Sequence, residues 1–218
     1  MSKKSYAPRT PRTGNGFRAQ DIKAIPRGAW WTKGWLRAIE EMRLGARAGR
    51  GKGYAELGQV VSLSVSATHV EAEVLGARPD PYTVKIDFEP AVTPPEDAAL
   101  ADAGGIFGEM TLGRILAGEM PSAVEEFFSK EGISPYPKIG TDRFWCSCPD
   151  WSKPCKHIAA VLYLIGDAMV RDPSLLLRIR GIGLSEPAEC SDAALPLWKG
   201  AEKLDDFISR IRRRVQRR

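Results

Sequence analysis

Residues 146–157 read CSCPDWSKPCKH, which sets three cysteines and one histidine in the spacing C-x-C-x6-C-x-H. Three of the four cysteines and one of the two histidines of the chain fall within this segment. Thiolate sulfur and imidazole nitrogen are ligands that proteins use to hold zinc in a tetrahedral set of four. The spacing therefore predicts one structural Zn²⁺ ion as the cofactor, with the ligands Cys146, Cys148, Cys155 and His157.

The residues around this segment explain how the four ligands can meet. Side chains two positions apart on an extended strand point to the same side, so Cys146 and Cys148 can bind one ion together. Apolar residues recur at helical spacing from Ile158 to Met169. Cys155 and His157 therefore lie at the start of a predicted helix, whose partial positive charge favours thiolates.

A disulfide, or a grouping of four unrelated residues, is the alternative to a metal site. The histidine among the thiolates and the lack of a four-cysteine run favour zinc over an iron–sulfur cluster. Four protein ligands leave no open position for water or substrate, which is typical of a structural site. Lys153 and Lys156 offset the negative charge of three thiolates, and both are candidate contacts to nucleic acid.

Beyond its ligands, the segment resembles a SWIM zinc finger, whose defining pattern is C-x-C-x(n)-C-x-H. The similarity to prokaryotic SWIM zinc finger proteins extends over about residues 28–181. Outside the finger it is carried by residues 29–31 (AWW) with Trp35, 51–60 (GKGYAELGQV), 76–82 (GARPDPY), 116–121 (LAGEMP) and 172–181 (DPSLLLRIRG). All four ligand positions match the pattern, so the resemblance carries zinc ligation over residue by residue.

The resemblance implies an accessory protein that binds zinc, associates with a Swi/Snf-type helicase-like ATPase, and contacts DNA or proteins. It implies no settled enzymatic activity. It also supplies no agreed set of residues that contact DNA, so candidates for that role must come from the charge pattern of this chain.

The net charge of +5 conceals a strong asymmetry. Residues 1–27 carry +6, residues 210–218 carry +6, and the rest of the chain therefore carries −7. Basic ends are common in proteins that bind polyanions, because each cation placed on a phosphate releases counterions. The alternative is a solvated end that only maintains solubility. The candidate contacts in the C-terminal segment are Arg212, Arg213 and Arg214.

A second group of basic residues is interleaved with glycines after the first predicted helix, and we expect it to form a loop. It consists of Arg43, Arg47, Arg50 and Lys52. Glycine lets a backbone approach phosphates closely, so this loop is the best internal candidate for contact with nucleic acid; a flexible connection is the alternative. The glycine spacing does not match that of a phosphate-binding NTPase loop.

Hydrophobic periodicity predicts an α+β fold. Trp31, Trp35, Ile39 and Met42 recur at helical spacing. Strict alternation of apolar and polar residues at 61–65, 70–74 and 82–88 predicts a small antiparallel β-meander packed on this tryptophan-rich helix. A helical region that contains the C-x-C-x6-C-x-H zinc knuckle follows. His69 is predicted to lie in a turn, apart from the metal site.

The predicted organisation has five parts. They are a flexible basic arm (1–27), the helix and β-meander region (28–92), the helical region with the zinc finger at about 144–170 (93–181), a linker (182–198) and a basic C-terminal helix or tail (199–218). With 43% hydrophobic residues in 218, the chain can bury a substantial core. No stretch has the length of a membrane span or the pattern of a signal peptide, so we expect a cytoplasmic protein with no membrane partner, nucleoid-associated if it binds DNA. Thiols stay reduced there, and Cys190 is predicted to be an ordinary loop thiol.

These features favour a non-enzymatic zinc-binding adaptor that binds nucleic acid, preferably DNA, a Swi/Snf-type ATPase, or both. One alternative is a module that contacts only proteins and holds a structural zinc. A thiol redox enzyme is the remaining class, and it is disfavoured because metal-bound thiolates in a closed site are poor nucleophiles for turnover.

Overall fold

A computed structural model of the chain describes residues 14–20, 22, 29–92, 101–137, 143–150 and 153–184. Predictions that concern residues 1–13 and 185–218 lie outside the described residues. They include the predictions for Cys190, for Arg212, Arg213 and Arg214, and for the C-terminal helix.

A four-stranded antiparallel sheet confirms the predicted meander and adds one strand to it. Its strands are β1 (Val60–Ser66), β2 (His69–Val74), β3 (Tyr82–Asp87) and β5 (Phe144–Cys146), in the spatial order β1-β2-β3-β5. Along β2, buried Val70, Ala72 and Val74 alternate with exposed glutamates, as the sequence pattern predicts. The fourth strand joins the sheet through the pair Val84 and Cys146.

Two residues, Ala67 and Thr68, form the turn between β1 and β2, and Ala67 has a left-handed φ of 49°. His69 is the first residue of β2, where it pairs with Ser66 and Asp87. The prediction that His69 lies in the turn is therefore wrong by one position, because the tight two-residue connection lets the ladder begin at His69.

Seven helices lie among the described residues, together with one short parallel strand pair. The helices are α1 (Trp30–Glu41), α2 (Ala46–Glu56), α3 (Ala103–Phe107), α4 (Glu109–Leu116), α5 (Ser122–Lys130), α6 (Lys156–Arg171) and α7 (Ser174–Ile179). β4 (Ala101–Asp102) pairs in parallel with β6 (Ile182–Gly183). Ile182 is fully buried, so the first residues of the predicted linker belong to the folded core. None of the described helices has the length and apolarity needed to cross a membrane.

Helix α6 is at the centre of the core. Twelve of its 16 residues are buried, which is typical of a helix packed on several sides. It contacts α1 and α2 as well as β1, β3 and β5. The indole nitrogen of Trp35 on α1 donates a hydrogen bond to the carbonyl of Leu162 (3.0 Å), and the Trp35 ring meets Phe88 edge-on, just after β3. The tryptophan stripe is therefore a core face.

Most of the basic, glycine-rich stretch is helical, so the prediction of a loop is wrong for residues 46–53, whereas Arg43 does lie in the connection between α1 and α2. Glycine inside a helix costs about 1 kcal/mol relative to alanine, and three glycines in one short helix argue against helix by local propensity. Packing on α6 outweighs that cost. A Cβ atom added at Gly51 would lie 2.6 Å from the Cβ of Ala159, so only glycine lets the two helices approach this closely.

Part of the predicted N-terminal arm is also ordered. The amide of Phe17 donates to the carbonyl of Val60 (2.7 Å), and the amide of Gln20 donates to the carboxylate of buried Asp167 (3.1 Å). Ala19 and Ile22 are buried in the same core. Residues 14–20 and 22 therefore differ from the predicted flexible arm, because a backbone paired with the end of a sheet needs no apolar periodicity of its own.

The glycines of α2 provide a test of this packing. We expect Gly51→Ala to destabilise the protein by about 1–3 kcal/mol, the usual cost of overpacking a core. We expect Gly49→Ala to stabilise it by up to about 1 kcal/mol, because the added Cβ meets no atom within 4 Å and alanine favours helix. Urea unfolding of both zinc-loaded variants measures the difference. Equal free energies of unfolding for the two variants would contradict the close contact of α2 with α6.

A Cys3His metal centre between β5 and helix α6

Two elements bring the four predicted ligands together. Cys146 ends β5, and Cys148 follows it after a single residue that continues the ladder: the amide of Ser147 donates to the carbonyl of Thr83 (3.0 Å). Cys155 is the N-cap of α6, and His157 lies in its first turn. Two ligands therefore come from the end of β5 and the residues just after it, and two come from the N-cap and first turn of α6.

The spacing of the donor atoms fits a tetrahedral metal ion. Nδ1 of His157 lies 3.7 Å from Sγ of Cys146 and 3.8 Å from Sγ of Cys155. The donor atoms of all four residues lie within 4.8 Å of one another. A zinc ion with bonds of about 2.3 Å to sulfur and about 2.0 Å to nitrogen separates its ligands by about 3.5–3.8 Å. The four side chains therefore need little movement to bind one ion.

The two ligands at the start of α6 are buried, so solvent does not reach the site from that side. Cys155 is 1% exposed and His157 is 2% exposed, whereas Cys146 and Cys148 are partly buried. Four protein donors complete a tetrahedron, so no coordination position remains for substrate. The site has the construction of a structural zinc centre.

The electrostatics of the three thiols also favour a cation. Hydrogen bonding with Cys148 raises the pKa of the Cys146 thiol, and the same interaction lowers the pKa of Cys148. Three thiolates this close repel one another, so without a cation they share the available protons. A divalent ion removes that competition, since it stabilises all three thiolates.

Backbone amides support the thiolates individually. The amide of Cys148 interacts with the sulfur of Cys146, the amide of Asp150 with that of Cys148, and the amide of Ile158 with that of Cys155. Each of these contacts favours the ionised form of its cysteine, because an N–H group donates to negative sulfur. The amide of Ile158 belongs to the first turn of α6, where the predicted effect of the helix N-terminus acts.

Aromatic packing holds the imidazole ring of His157. Tyr82 stacks on the ring with centroids 4.6 Å apart, and Tyr54 meets it edge-on at 5.4 Å. Nε2 of His157 is buried and has no hydrogen-bond partner among the described residues. A Cβ atom at Gly76 would lie 2.3 Å from the Tyr82 ring and 3.2 Å from Nε2. Gly76 is therefore required for Tyr82 to cover the ligand.

Comparison with known proteins agrees with this geometry. Residues 144–166 match the SWIM zinc finger family model, so this segment is a SWIM zinc finger and its Cys3His set holds a structural zinc ion. The chain is also similar to a protein of Mycobacterium tuberculosis (strain ATCC 25618 / H37Rv), "Uncharacterized protein Rv2102", with 36% identity over 176 residues. That match covers 76% of this chain, which spans 60% of the relative's length. No solved structure matches the chain significantly.

The candidate contacts to nucleic acid occupy different positions in the fold. Arg43 is exposed between α1 and α2, and Arg47 is half-buried with Nε donating to the carbonyl of Leu44 (3.1 Å). Arg50 is exposed on α2. Nζ of Lys52 lies 5.2 Å from the ring centroid of Tyr163.

The two lysines of the finger also differ in their surroundings. Nζ of Lys156 lies 5.5 Å from the ring centroid of Tyr54. Arg50 lies one helical turn before Tyr54 on α2, so the two side chains share a face of that helix. Arg50 and Lys156 are therefore both neighbours of Tyr54. Lys153 is exposed in the loop of the finger.

Three residues next to the metal centre were not predicted from the sequence. Tyr54 and Tyr82 pack on His157, and the guanidinium of Arg78 lies 5.4 Å from the ring centroid of Tyr82. All three fall within stretches 51–60 and 76–82, which carry the resemblance to SWIM proteins. That resemblance is the sequence signal that could have pointed to them, because no local periodicity does.

Removal of one ligand tests the metal assignment. We expect Cys148→Ser and His157→Ala each to lose the zinc ion and to make residues 144–170 sensitive to proteolysis, because the metal contributes folding free energy to this short loop. Atomic absorption and limited proteolysis measure these effects. Cys190→Ser is the matched control and should keep a full equivalent of zinc. A full equivalent in Cys148→Ser would refute its role as a ligand.

Gly76 tests the aromatic support of His157. We expect Gly76→Ala to lower zinc affinity by about tenfold or more, the size of effect seen when a group that orients a metal ligand is disturbed. Competition with a chromophoric chelator measures the affinity. Gly113→Ala on α4 is the control, because its added Cβ meets no atom within 4 Å. If the two variants hold zinc equally well, Tyr82 does not orient His157.

Proposed function

We propose that the protein is a non-enzymatic adaptor in which a SWIM zinc finger supports a surface that binds nucleic acid, with DNA favoured. One observation carries this proposal. Lys156 from α6 lies over the ring of Tyr54, Arg50 lies one helical turn before Tyr54 on α2, and Tyr54 packs on the zinc ligand His157. The metal centre and two cations that are far apart in sequence thus share one side of the molecule.

The charge of this side contrasts with the acidic average of the chain between its two basic ends. Helix α2 carries Arg47, Arg50 and Lys52 and a single acidic residue, Glu56. Neither Arg50 nor Lys156 forms an ion pair with any residue in the described part of the chain. Cations that are not neutralised by carboxylates can release counterions from phosphates, which is the main source of affinity in nonspecific binding.

The construction of the metal centre supports a module without catalysis. All four zinc ligands come from the protein, which leaves no position for an activated water. A thiol redox reaction would need a free thiolate, whereas each of the three clustered cysteines is a zinc ligand. The zinc ion therefore serves to hold β5 and the start of α6 in place.

A partner of the Swi/Snf-type helicase-like ATPase class belongs to the proposal, on the basis of the resemblance alone. An adaptor of this kind would hold nucleic acid near the motor. The proposed location is the cytoplasm, on the nucleoid when DNA is bound.

A groove elsewhere on the surface favours the second candidate, a module that contacts only proteins. A cavity of about 430 Å³ lies beside Tyr136, whose hydroxyl donates to the carbonyl of Trp30 (2.9 Å). Phe128 and Ile133 supply apolar lining, and Lys33, Arg37 and Glu125 supply charge. No zinc ligand lines this groove. A groove with apolar walls and a charged rim suits a peptide segment of another protein.

Salt-dependent binding separates the two candidates. We expect the zinc-loaded protein to bind a labelled DNA duplex at low salt, with affinity that falls steeply as salt rises. The double variant Arg50→Ala/Lys156→Ala should weaken binding. It should also make the plot of log K against log salt less steep by about 2, because each lost phosphate contact accounts for about 0.9. Changing Arg212, Arg213 and Arg214 to alanine should also weaken binding.

Lys33→Ala/Arg37→Ala is the control, since it removes the same charge from exposed positions at the groove. It should bind the duplex nearly as well as the unchanged protein. If the unchanged protein fails to bind DNA or RNA at low salt, the nucleic-acid proposal is wrong and the protein-only module takes its place.

A further inference from the structure

Two tyrosines pack on the His157 ring, and each of them also contacts a cation. Tyr82 stacks on His157 with an interplanar angle of 26°, and Tyr54 meets the same ring at 60°. The Arg78 guanidinium lies over Tyr82 and the Lys156 ammonium lies over Tyr54. Both cations are within the roughly 6 Å range in which a ring quadrupole attracts a cation. Each tyrosine therefore links a cation to the zinc ligand.

The tyrosines themselves are not exposed. Tyr54 is 6% exposed and Tyr82 is 5% exposed, so neither ring can receive a nucleic-acid base. Proteins that bind single strands stack successive bases on exposed aromatic rings. Trp145 is 47% exposed, but it alternates with the zinc ligand Cys146 along β5 and so points to the opposite face of the sheet, beside Lys85. Among the described residues, the cations around His157 thus lack an accompanying stacking platform.

We propose that Arg50, Arg78 and Lys156 form one phosphate-binding surface around His157, and that this surface contacts the backbone of a double-stranded nucleic acid without reading its bases. This inference rests on the proposed function. It adds Arg78 to the contact residues, phosphate as the group they bind, and a duplex as the form of nucleic acid. The three residues are called the His157 surface below.

Charge density favours a duplex as the occupant of the His157 surface. A duplex carries more phosphate charge per unit length than a single strand, so each cation releases more counterion when it binds. Phosphates are the same at every step of the sequence, and contacts to them position a protein without specifying bases. Binding through this surface should therefore be strong at low salt and nearly independent of sequence.

The aromatic links make the position of Arg78 depend on Tyr82. Replacement of Tyr82 by leucine removes the ring under the guanidinium, whereas replacement by phenylalanine keeps the ring and removes only the hydroxyl group. We expect Tyr82→Phe to bind duplex like the unchanged protein and Tyr82→Leu to bind severalfold more weakly, when both retain zinc. Equal binding by the two zinc-loaded variants would contradict the proposed role of the ring.

The main test uses the full, zinc-loaded chain with a labelled duplex of about two helical turns, a second duplex of different sequence and the matching single strand. We expect Arg78→Ala to weaken binding to both duplexes severalfold and to lower the salt slope by about 1. Lys130→Ala on α5 is the charge-matched control, because Lys130 is also exposed and its substitution also removes one positive charge. Arg78→Lys, which keeps a cation over the ring, should restore most of the binding.

The outcomes distinguish this inference from the proposed function. If the unchanged protein binds no nucleic acid, both fail. If it binds but Arg78→Ala equals Lys130→Ala, or if Arg78→Lys binds as poorly as Arg78→Ala, the His157 surface is wrong while nucleic-acid binding stands. Tighter binding to the single strand than to either duplex would overturn the assignment to a duplex. Zinc content and the unfolding midpoint are measured for every variant, so that loss of structure is detected separately.

Discussion

The structure depends on the junction between strand β5 and the N-terminus of helix α6. Cys146 ends the strand and Cys155 caps the helix, so one zinc ion joins the edge of the sheet to the helix that fills the core. Helix α6 in turn contacts α1, α2 and three strands of the sheet. A closed tetrahedral site is well suited to this position, because its ligand geometry is rigid and its binding free energy adds to folding.

Two glycines let other elements reach this junction. Gly51 allows α2 to lie against Ala159, and Gly76 allows Tyr82 to stack on His157. At each position a methyl group would collide with a packed neighbour. These close approaches bring the basic helix α2 and the loop of Arg78 to the same side of the finger. They connect the metal centre, which has no open coordination position, to the proposed binding surface.

The proposed adaptor uses the charge contrast within the chain. An acidic body repels nucleic acid on average, so a local group of unpaired cations directs it to one side. The groove beside Tyr136 is built from different elements, α1, α5 and the segment that follows α5. The proposed nucleic-acid surface and the groove therefore lie on different elements of the fold.

The ligand set, the meander and the helix after the finger were predictable, because ligand spacing, two-residue alternation and helical periodicity are local sequence patterns. The sequence also indicated the class of the finger through its resemblance to SWIM proteins. The helical state of residues 46–56 was not predictable, since the penalty of their glycines is local whereas the packing of Gly51 on Ala159 is not. The positions of Arg78, Tyr82 and Tyr54 beside the metal centre were also not predictable, because these positions depend on packing between distant segments. Residues from α2, from β3 and the loop before it, and from α6 meet at one imidazole ring through long-range packing, which no local sequence pattern encodes.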